Sequence, residues 1–298
     1  MNYAIRTENL TRRFGRLTAI DSLDLQVPEG AICALVGPNG AGKTTTLKVL
    51  MNILPATHGR AEILGVQSTH LSPRTFAQIG YFSENQDLPD WMTLKYFLAY
   101  LKPFYPNWDD ARAEELLHQF DLPSNTKLAN LSRGMRAKAA LTSSLAYRPR
   151  LLVLDEPFSG LDALVRDELT GALLESADGA TVLISSHDLS EIESFASHVC
   201  YIEHGRLRFS EEMGSLTRRF RAIEITLPHQ PSLPVSTPAT WLGIETSAGV
   251  VRFVETDYER ARTHAAVHRL FGDVEVSVNP MSLREIFVTL ATAGKKAA

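Results

Sequence analysis

The sequence predicts an α/β fold that carries an inserted helical segment and is followed by a small α+β unit. Three observations predict it. The first 210 residues alternate short β-branched or apolar runs with longer helical stretches. Residues from about 92 to 148 break that alternation and read as mostly helical. Four of the fifteen prolines then fall between Pro228 and Pro238 (with Pro231 and Pro234), where they stiffen a connection and prevent a regular element. A length of 298 residues suits about two domains.

Along the chain, strands are expected at 31–36, 79–82, 151–154, 181–185 and 199–203. The last leads through His204-Gly205 into 206–209, which reads as a hairpin. A helix starts near Lys43 and another runs from about Met135 to Tyr147. Around and beyond the prolines, strands are expected at 222–227, 241–246, 250–255 and 274–278, with helices at 258–271 and 282–290. The expected domains are 1–215, with a helical subdomain at about 90–148, and 219–298.

Composition narrows the function classes. A hydrophobic share of 44% and charged residues at 21% are ordinary for a globular chain and argue against disorder. Thirty basic against thirty-four acidic side chains give −4, and from Glu211 onward ten Lys/Arg balance ten Asp/Glu. Neither balance is the basic footprint of a nucleic-acid binder, so no nucleic-acid partner is expected. Cys33 and Cys200 sit in apolar runs and read as small buried hydrophobes of a reducing compartment. The N-terminus lacks the apolar core of a signal peptide. No apolar run approaches the ~18–20 residues that span a bilayer, so a membrane role is expected only through a partner.

The chemistry is concentrated in two motifs. Gly37-Pro38-Asn39-Gly40-Ala41-Gly42-Lys43-Thr44 fits G-x-x-x-x-G-K-[ST] between an expected strand and an expected helix, the context a phosphate-binding loop requires. The glycines let backbone N–H groups turn toward phosphates, and the helix N-terminus adds partial positive charge. Lys43 would reach the β- and γ-phosphates, the Thr44 hydroxyl would take a Mg²⁺ position, and Thr45 would lie beside the phosphates. The second motif, Leu151-Leu-Val-Leu-Asp155-Glu156, is a buried-strand pattern that ends in two carboxylates at the edge where α/β sheets bind ligands. Asp155 would hold Mg²⁺ and Glu156 would polarise the attacking water.

With these in place the chain resembles the ATP-binding subunit of an ABC transporter over most of residues 4–210. Leu131-Ser132-Arg133-Gly134-Met135 stands where that family carries its LSGGQ signature, and Phe158-Ser159-Gly160-Leu161-Asp162 resembles its D-loop. His187 occupies the switch-histidine place, and Phe14 matches the aromatic that stacks on adenine. The resemblance implies an ABC-type P-loop NTPase nucleotide-binding domain whose cofactors are ATP and Mg²⁺. It implies two such domains facing head to tail, as a homodimer or with a related ATPase subunit. Ser132 and Gly134 would donate to the γ-phosphate bound across that interface, and His187 would sense its loss.

Two places depart from the family's pattern. The signature carries Arg133 for the first glycine and Met135 for the glutamine. Arg133 either faces solvent or adds charge near phosphate. Glu84 ends its strand where the family has glutamine, and could still meet the metal's water shell; Gln86 is the competing candidate. A single phosphate loop is unlike the tandem translation-factor branch and the lack of a long heptad arm unlike the chromosome-maintenance or repair ATPases, while the stretch Ser282-Leu-Arg-Glu-Ile-Phe-Val-Thr-Leu290 resembles the type-two exporter class. The expectation is an ATPase docked on a separate integral membrane permease, for export, on the cytoplasmic inner face of the cell membrane. Seven aromatics at 91–108 are candidates for the docking surface. The alternatives are a soluble ABC ATPase acting on nucleic acid or ribosomes, and an importer subunit with a regulatory tail.

Overall fold

The computed structural model describes every residue except 1, 85, 178, 228–235, 248, 297 and 298, so most of the proline-rich connection lies outside the described residues. The chain forms two compact units, Met1–Ser210 and Glu211–Ala298. Among the described residues no helix is long and apolar enough to cross a membrane.

The first unit runs β1 (Tyr3–Phe14), β2 (Leu17–Leu23), β3 (Gln26–Pro28), β4 (Ile32–Val36), α1 (Lys43–Leu50), β5 (His58–Ile63), β6 (Val66–Gln67), α2 (Pro73–Phe76), β7 (Ile79–Ser83), α3 (Leu94–Leu101), α4 (Asp110–Gln119), α5 (Arg133–Leu145), β8 (Leu151–Asp155), α6 (Ala163–Ser176), β9 (Thr181–Ser186), α7 (Leu189–Ile192), β10 (His198–Glu203) and β11 (Arg206–Glu212). Two sheets result. A six-stranded sheet has the order β11-β10-β4-β9-β8-β7, with parallel pairing from β10 through β7. Its inner strands β8 and β9 are buried at every position, as expected of a sheet covered on both faces. A five-stranded antiparallel sheet has the order β2-β1-β5-β6, with β3 also on β1. The main core joins Ile5, Leu10 and Leu23 of the second sheet, Leu47 and Leu50 of α1, and Val153, Leu183 and Cys200 of the first. Cys33 and Cys200 are buried free thiols with Sγ atoms 3.3 Å apart.

The antiparallel sheet is absent from the sequence reading, for a local reason. Thr7 and Thr11 of β1 are buried, and the Thr7 hydroxyl replaces a ladder bond by donating to the Leu23 carbonyl at 2.6 Å and accepting from the Leu25 N–H at 2.7 Å. The register also shifts past Asn9, whose φ is +47°. Buried hydroxyls and a bulge together hide the period-2 pattern.

Three capped helices fill the insert. Thr93, Asp109 and Ser132 accept from the N–H groups of Tyr96, Arg112 and Met135 at the starts of α3, α4 and α5. The Ser132 cap is why α5 starts at Arg133 rather than at Met135. α5 is tied to the main sheet: Ser144 Oγ donates to the Tyr81 carbonyl at 3.0 Å and Tyr147 OH to the Ile79 carbonyl at 2.8 Å.

The second unit continues with α8 (Met213–Arg219), β12 (Arg221–Thr226), β13 (Trp241–Ser247), β14 (Val250–Glu255), α9 (Arg260–Phe271), β15 (Glu275–Pro280) and α10 (Leu283–Lys296). Its antiparallel sheet has the order β13-β14-β12-β15. Trp241 anchors a separate core, stacked on Phe253 at 3.9 Å, while its indole N–H donates to Glu255 at 2.9 Å.

Candidate active site

The register of the parallel sheet brings the functional segments to one edge. Val36 pairs with Ser186, Ser185 with Asp155, and Asp155 with Ser83, so β4, β9, β8 and β7 end at nearly the same level. The residues that follow those ends are the 37–42 loop, His187, Glu156 and Glu84. Sheet pairing alone assembles a site from four distant stretches of sequence.

The loop after β4 wraps the start of α1. A Cβ on Gly37 would lie 2.1 Å from the Ile202 carbonyl oxygen, so a side chain there would push the loop off β10. Gly42 caps α1 in a left-handed conformation (φ +105°), and a Cβ there would lie 2.3 Å from the Ala19 carbonyl oxygen. Both positions need the absence of a side chain. Lys43 is only 5% exposed. Its Nζ donates to the Gly37 carbonyl at 2.8 Å and lies 3.3 Å from Glu156 Oε1.

Two hydroxyls hold Asp155. Thr44 Oγ1 donates to Asp155 Oδ1 at 2.9 Å and Ser185 Oγ to the same oxygen at 2.8 Å. Burial pushes the Asp155 carboxyl above its usual range, against the pull of those two hydroxyls, and the adjacent Glu156 charge adds to the rise. Glu156 has a left-handed backbone (φ +50°), the strained conformation common at functional turns. Its N–H donates to Ser185 Oγ at 3.0 Å, and its carboxylate lies 2.7 Å from His187 Nδ1. Beyond His187, Arg166 of α6 pairs with Glu191 at 3.3 Å, and Ser186 Oγ donates to Glu191 at 3.1 Å. The segment after His187 is thus tied to the helix that follows the 156–162 loop.

Lys43, Thr44, Glu156 and His187 line a cleft of about 580 Å³, a size suited to a nucleotide, with Asp155 held behind Thr44. Its walls include Phe14, Asn39, Gly40, Ala41, Gly42, Lys43, Thr44, Thr45, Glu84, Glu156, Ser159 and His187. Gly37 and Pro38 face it only indirectly, through carbonyls that accept from Lys43 at 2.8 and 3.4 Å. Phe14 is exposed, with the Arg12 guanidinium 4.4 Å from its ring centre. Glu84 borders this cleft whereas Gln86 borders two other cavities, and Gln86 Oε1 is buried without a hydrogen-bond partner among the described residues. Ser132 and Gly134 lie elsewhere, at the start of α5. Ser132 is exposed, and a Cβ on Gly134 would meet Val165 of α6 at 3.1 Å.

The donors fit Mg²⁺. Thr44 Oγ1 and Asp155 Oδ1 are hard oxygens 2.9 Å apart, with the Glu84 carboxylate on the same cleft. Among the described residues no group of three His, Cys, Asp or Glu could hold a metal alone. That combination matches an ion held by one or two protein oxygens together with substrate phosphates and water.

Sequence reasoning missed Ser185, which bridges Asp155 and Glu156. Its signal was a pair of serines ending an otherwise apolar strand just before His187. It also missed the partner of Arg133, whose guanidinium Nη2 donates to Glu84 Oε1 at 2.8 Å.

Residues 20–159 match the family described as ABC transporter. The chain is 31% identical over 225 residues to the bacitracin transport ATP-binding protein BcrA of Enterococcus faecalis, covering 74% of this chain and 73% of that protein. It is 35% identical over 210 residues to the daunorubicin resistance ATP-binding protein DrrA2 of Streptomyces coeruleorubidus, covering 68% and 65%. Identity is 32% over 219 residues to the sulfate/thiosulfate import ATP-binding protein CysA of Synechocystis sp., covering 71% and 61%. A solved ATP-binding subunit of an ABC transporter superposes with a TM-score of 0.66 at 26% identity, covering 72% of this chain and 92% of that one.

Proposed function

Because the chain belongs to the ATP-binding subunits of ABC transporters, which hydrolyse ATP to power transport, we propose that it drives a separate integral membrane permease in the direction of export. The observation that carries the catalytic part is the convergence of Lys43, Thr44, Asp155, Glu156 and His187 at one sheet edge. In this reading Lys43 and the N–H groups around 39–45 bind the β- and γ-phosphates, and Phe14 stacks on the adenine. Thr44, Asp155 and Glu84 would hold Mg²⁺, which when bound would offset charge on the phosphate oxygens. Glu156 accepts a proton from the attacking water, and His187 keeps that carboxylate oriented while contacting the γ-phosphate. Ser132 and Gly134 contact the nucleotide held by a second ATPase subunit, a copy of this chain or a related one, so that ATP closes the dimer and hydrolysis opens it.

The permease reading rests on an apolar surface of the helical insert. Trp91, Tyr96, Tyr100 and Phe104 are exposed, while Phe97 is buried and packs the insert itself. Nearby, Ile53, Phe76, Tyr81, Leu88, Leu101 and Tyr105 border a groove of about 400 Å³. Exposed aromatics beside a groove suit the anchoring of a partner helix. Docking there would hold the chain peripherally on the inner face of the membrane. Export is supported by the likeness to proteins named for bacitracin transport and daunorubicin resistance, and by the Ser282–Leu290 stretch. The sulfate import relative favours import instead.

Copurification from membranes tests the reading. The chain should bring down a protein with several apolar spans, and Trp91→Ala should release it while sparing the ATPase of the free subunit. Retention of the permease after all four exposed aromatics are changed to Ala would remove this surface. ATP-driven movement of substrate in membrane vesicles of known orientation decides between export and import.

A further inference from the structure

Two of the three residues that depart from the family's pattern, Glu84 and Arg133, meet in space. Glu84 follows β7 and Arg133 opens α5, 49 positions apart, yet Arg133 Nη2 donates to Glu84 Oε1 at 2.8 Å. The same nitrogen donates to the Ser159 carbonyl, also at 2.8 Å. Gly160 leaves room for this: a Cβ there would lie 2.5 Å from Arg133 Nη1. One guanidinium therefore joins the end of β7, the start of the signature helix and the 156–162 loop. Glu84 borders the nucleotide cleft itself, and Glu84, Arg133, Glu156 and Ser159 together border a second cavity of about 250 Å³ beside it.

We infer that Arg133 is a positioning residue for ATP binding and hydrolysis, acting through the Glu84 carboxylate and the Ser159 carbonyl. The reason is charge. A glutamine would present a neutral oxygen to the metal-and-phosphate side of the cleft. Glu84 presents a full negative charge beside Asp155, Glu156 and an incoming polyanion. The guanidinium at 2.8 Å offsets that charge and holds the Oε1 atom. Arginine suits this task because Nη2 alone carries two N–H donors in the guanidinium plane, one for each acceptor, and the group never loses its proton. These two departures are one compensated change. Arg133 is 60% exposed at its side chain and Glu84 32%. Exposed pairs add little to folding, so the effect belongs to nucleotide binding rather than to stability.

This inference rests on the ATP reading above, and a double-mutant cycle on the full chain tests both separately. The proteins are wild type, Arg133→Ala, Glu84→Gln, the double variant and Arg133→Lys. Each is measured for affinity toward a fluorescent ATP analogue with Mg²⁺ and for its unfolding midpoint without nucleotide. Arg133→Ala should weaken binding by about three- to thirtyfold, the scale of one uncompensated charge near the surface. Adding Glu84→Gln should recover most of the loss, because the repelling charge is gone while the side-chain oxygen toward the metal's water shell is kept. Arg133→Lys, which keeps the charge but loses the planar geometry that reaches both Glu84 and Ser159, should recover only part of the affinity, and the unfolding midpoints should stay together. Independent, additive losses, or a loss that follows the unfolding midpoint and is not repaired by Glu84→Gln, would overturn the inference while wild-type binding stands. A wild-type chain that binds no nucleotide would overturn it together with the ATP reading.

Discussion

At the Lys43 end of the cleft Lys43 and Asp155 are buried, Glu156 is mostly buried, and the groups interlock. Lys43 meets Glu156 at 3.3 Å and the Gly37 carbonyl at 2.8 Å, two hydroxyls hold Asp155 at 2.8 and 2.9 Å, and Glu156 meets His187 at 2.7 Å. At the Arg133 end the charges sit near solvent, and one guanidinium spans Glu84 and Ser159. The difference follows from where each set is anchored. The first hangs on strands β4, β8 and β9, whose neighbours cannot shift without breaking the sheet. The second joins a strand end to a helix of the insert. Charges in the first place are pre-organised for chemistry and tolerate little change. Charges in the second tune binding and are open to screening.

Changes at the buried end should therefore have the larger effect. Glu156→Gln keeps the shape and removes the base, and should slow hydrolysis by about 10²–10⁴ while ATP still binds. The variant should accumulate as an ATP-bound dimer on size exclusion. Near-normal turnover would take the role of base away from Glu156 and break the comparison at its strongest point.

Salt sharpens the contrast. The Debye length shrinks from about 10 Å at 0.1 M to about 3 Å at 1 M, which screens exposed charges and leaves buried ones nearly untouched. The affinity ratio between wild type and Arg133→Ala should fall toward one across that range. The rate ratio between wild type and Glu156→Gln should stay nearly constant. Equal salt sensitivity of both ratios would mean that the two ends are not electrically different.

The two ends also differed in how legible they were. The 37–44 loop and Asp155-Glu156 could be read because each is contiguous, and each follows an apolar run whose burial is a local property. Glu84 and Arg133 were both visible as departures, but their meeting was not, because it depends on how α5 approaches β7 rather than on spacing along the chain. The same limit applied to β1, where buried Thr7 and Thr11 look like surface residues until β2 supplies their partners. The element order of the parallel sheet and of the second unit followed from hydrophobic runs and turns. The shared level of the four strand ends needed the pairing register.

A smaller effect tests how far the buried end is strained for function. The raised Asp155 carboxyl binds its proton more tightly in the folded chain than in the unfolded one. Its contribution thus favours folding at acid pH and is lost as pH rises through the raised pKa. At neutral pH the charged group is a net cost. Asp155→Asn should raise the unfolding midpoint of the nucleotide-free chain near pH 7, and the gain should vanish as pH falls through the carboxylate range. A variant less stable than wild type at pH 7 would show that the Thr44 and Ser185 hydroxyls more than offset the burial.

The second unit supplies the control, because its ordered charge caps a helix. Ser282 and Glu285 form a reciprocal cap at the start of α10: the Ser282 N–H donates to Glu285 Oε2 at 2.8 Å, and Ser282 Oγ accepts from the Glu285 N–H at 3.3 Å. The cap sets the helix so that Leu283, Ile286 and Phe287 are buried. That gives the Ser-Leu-Arg-Glu-Ile-Phe stretch a structural job of its own. The backbone N–H and hydroxyl of Ser282 hold the Glu285 carboxyl below its usual range. The stabilisation is thus present above the ordinary carboxylate pKa and lost as pH falls through the lowered one, opposite in sign to Asp155. Ser282→Ala should cost about 1 kcal/mol in urea unfolding at pH 7, the usual scale for a lost cap, and less at low pH. Hydrolysis by the first unit should be unchanged. A loss of ATPase in Ser282→Ala, at temperatures where both proteins are folded, would show that the tail acts on the nucleotide site and would end its use as a control.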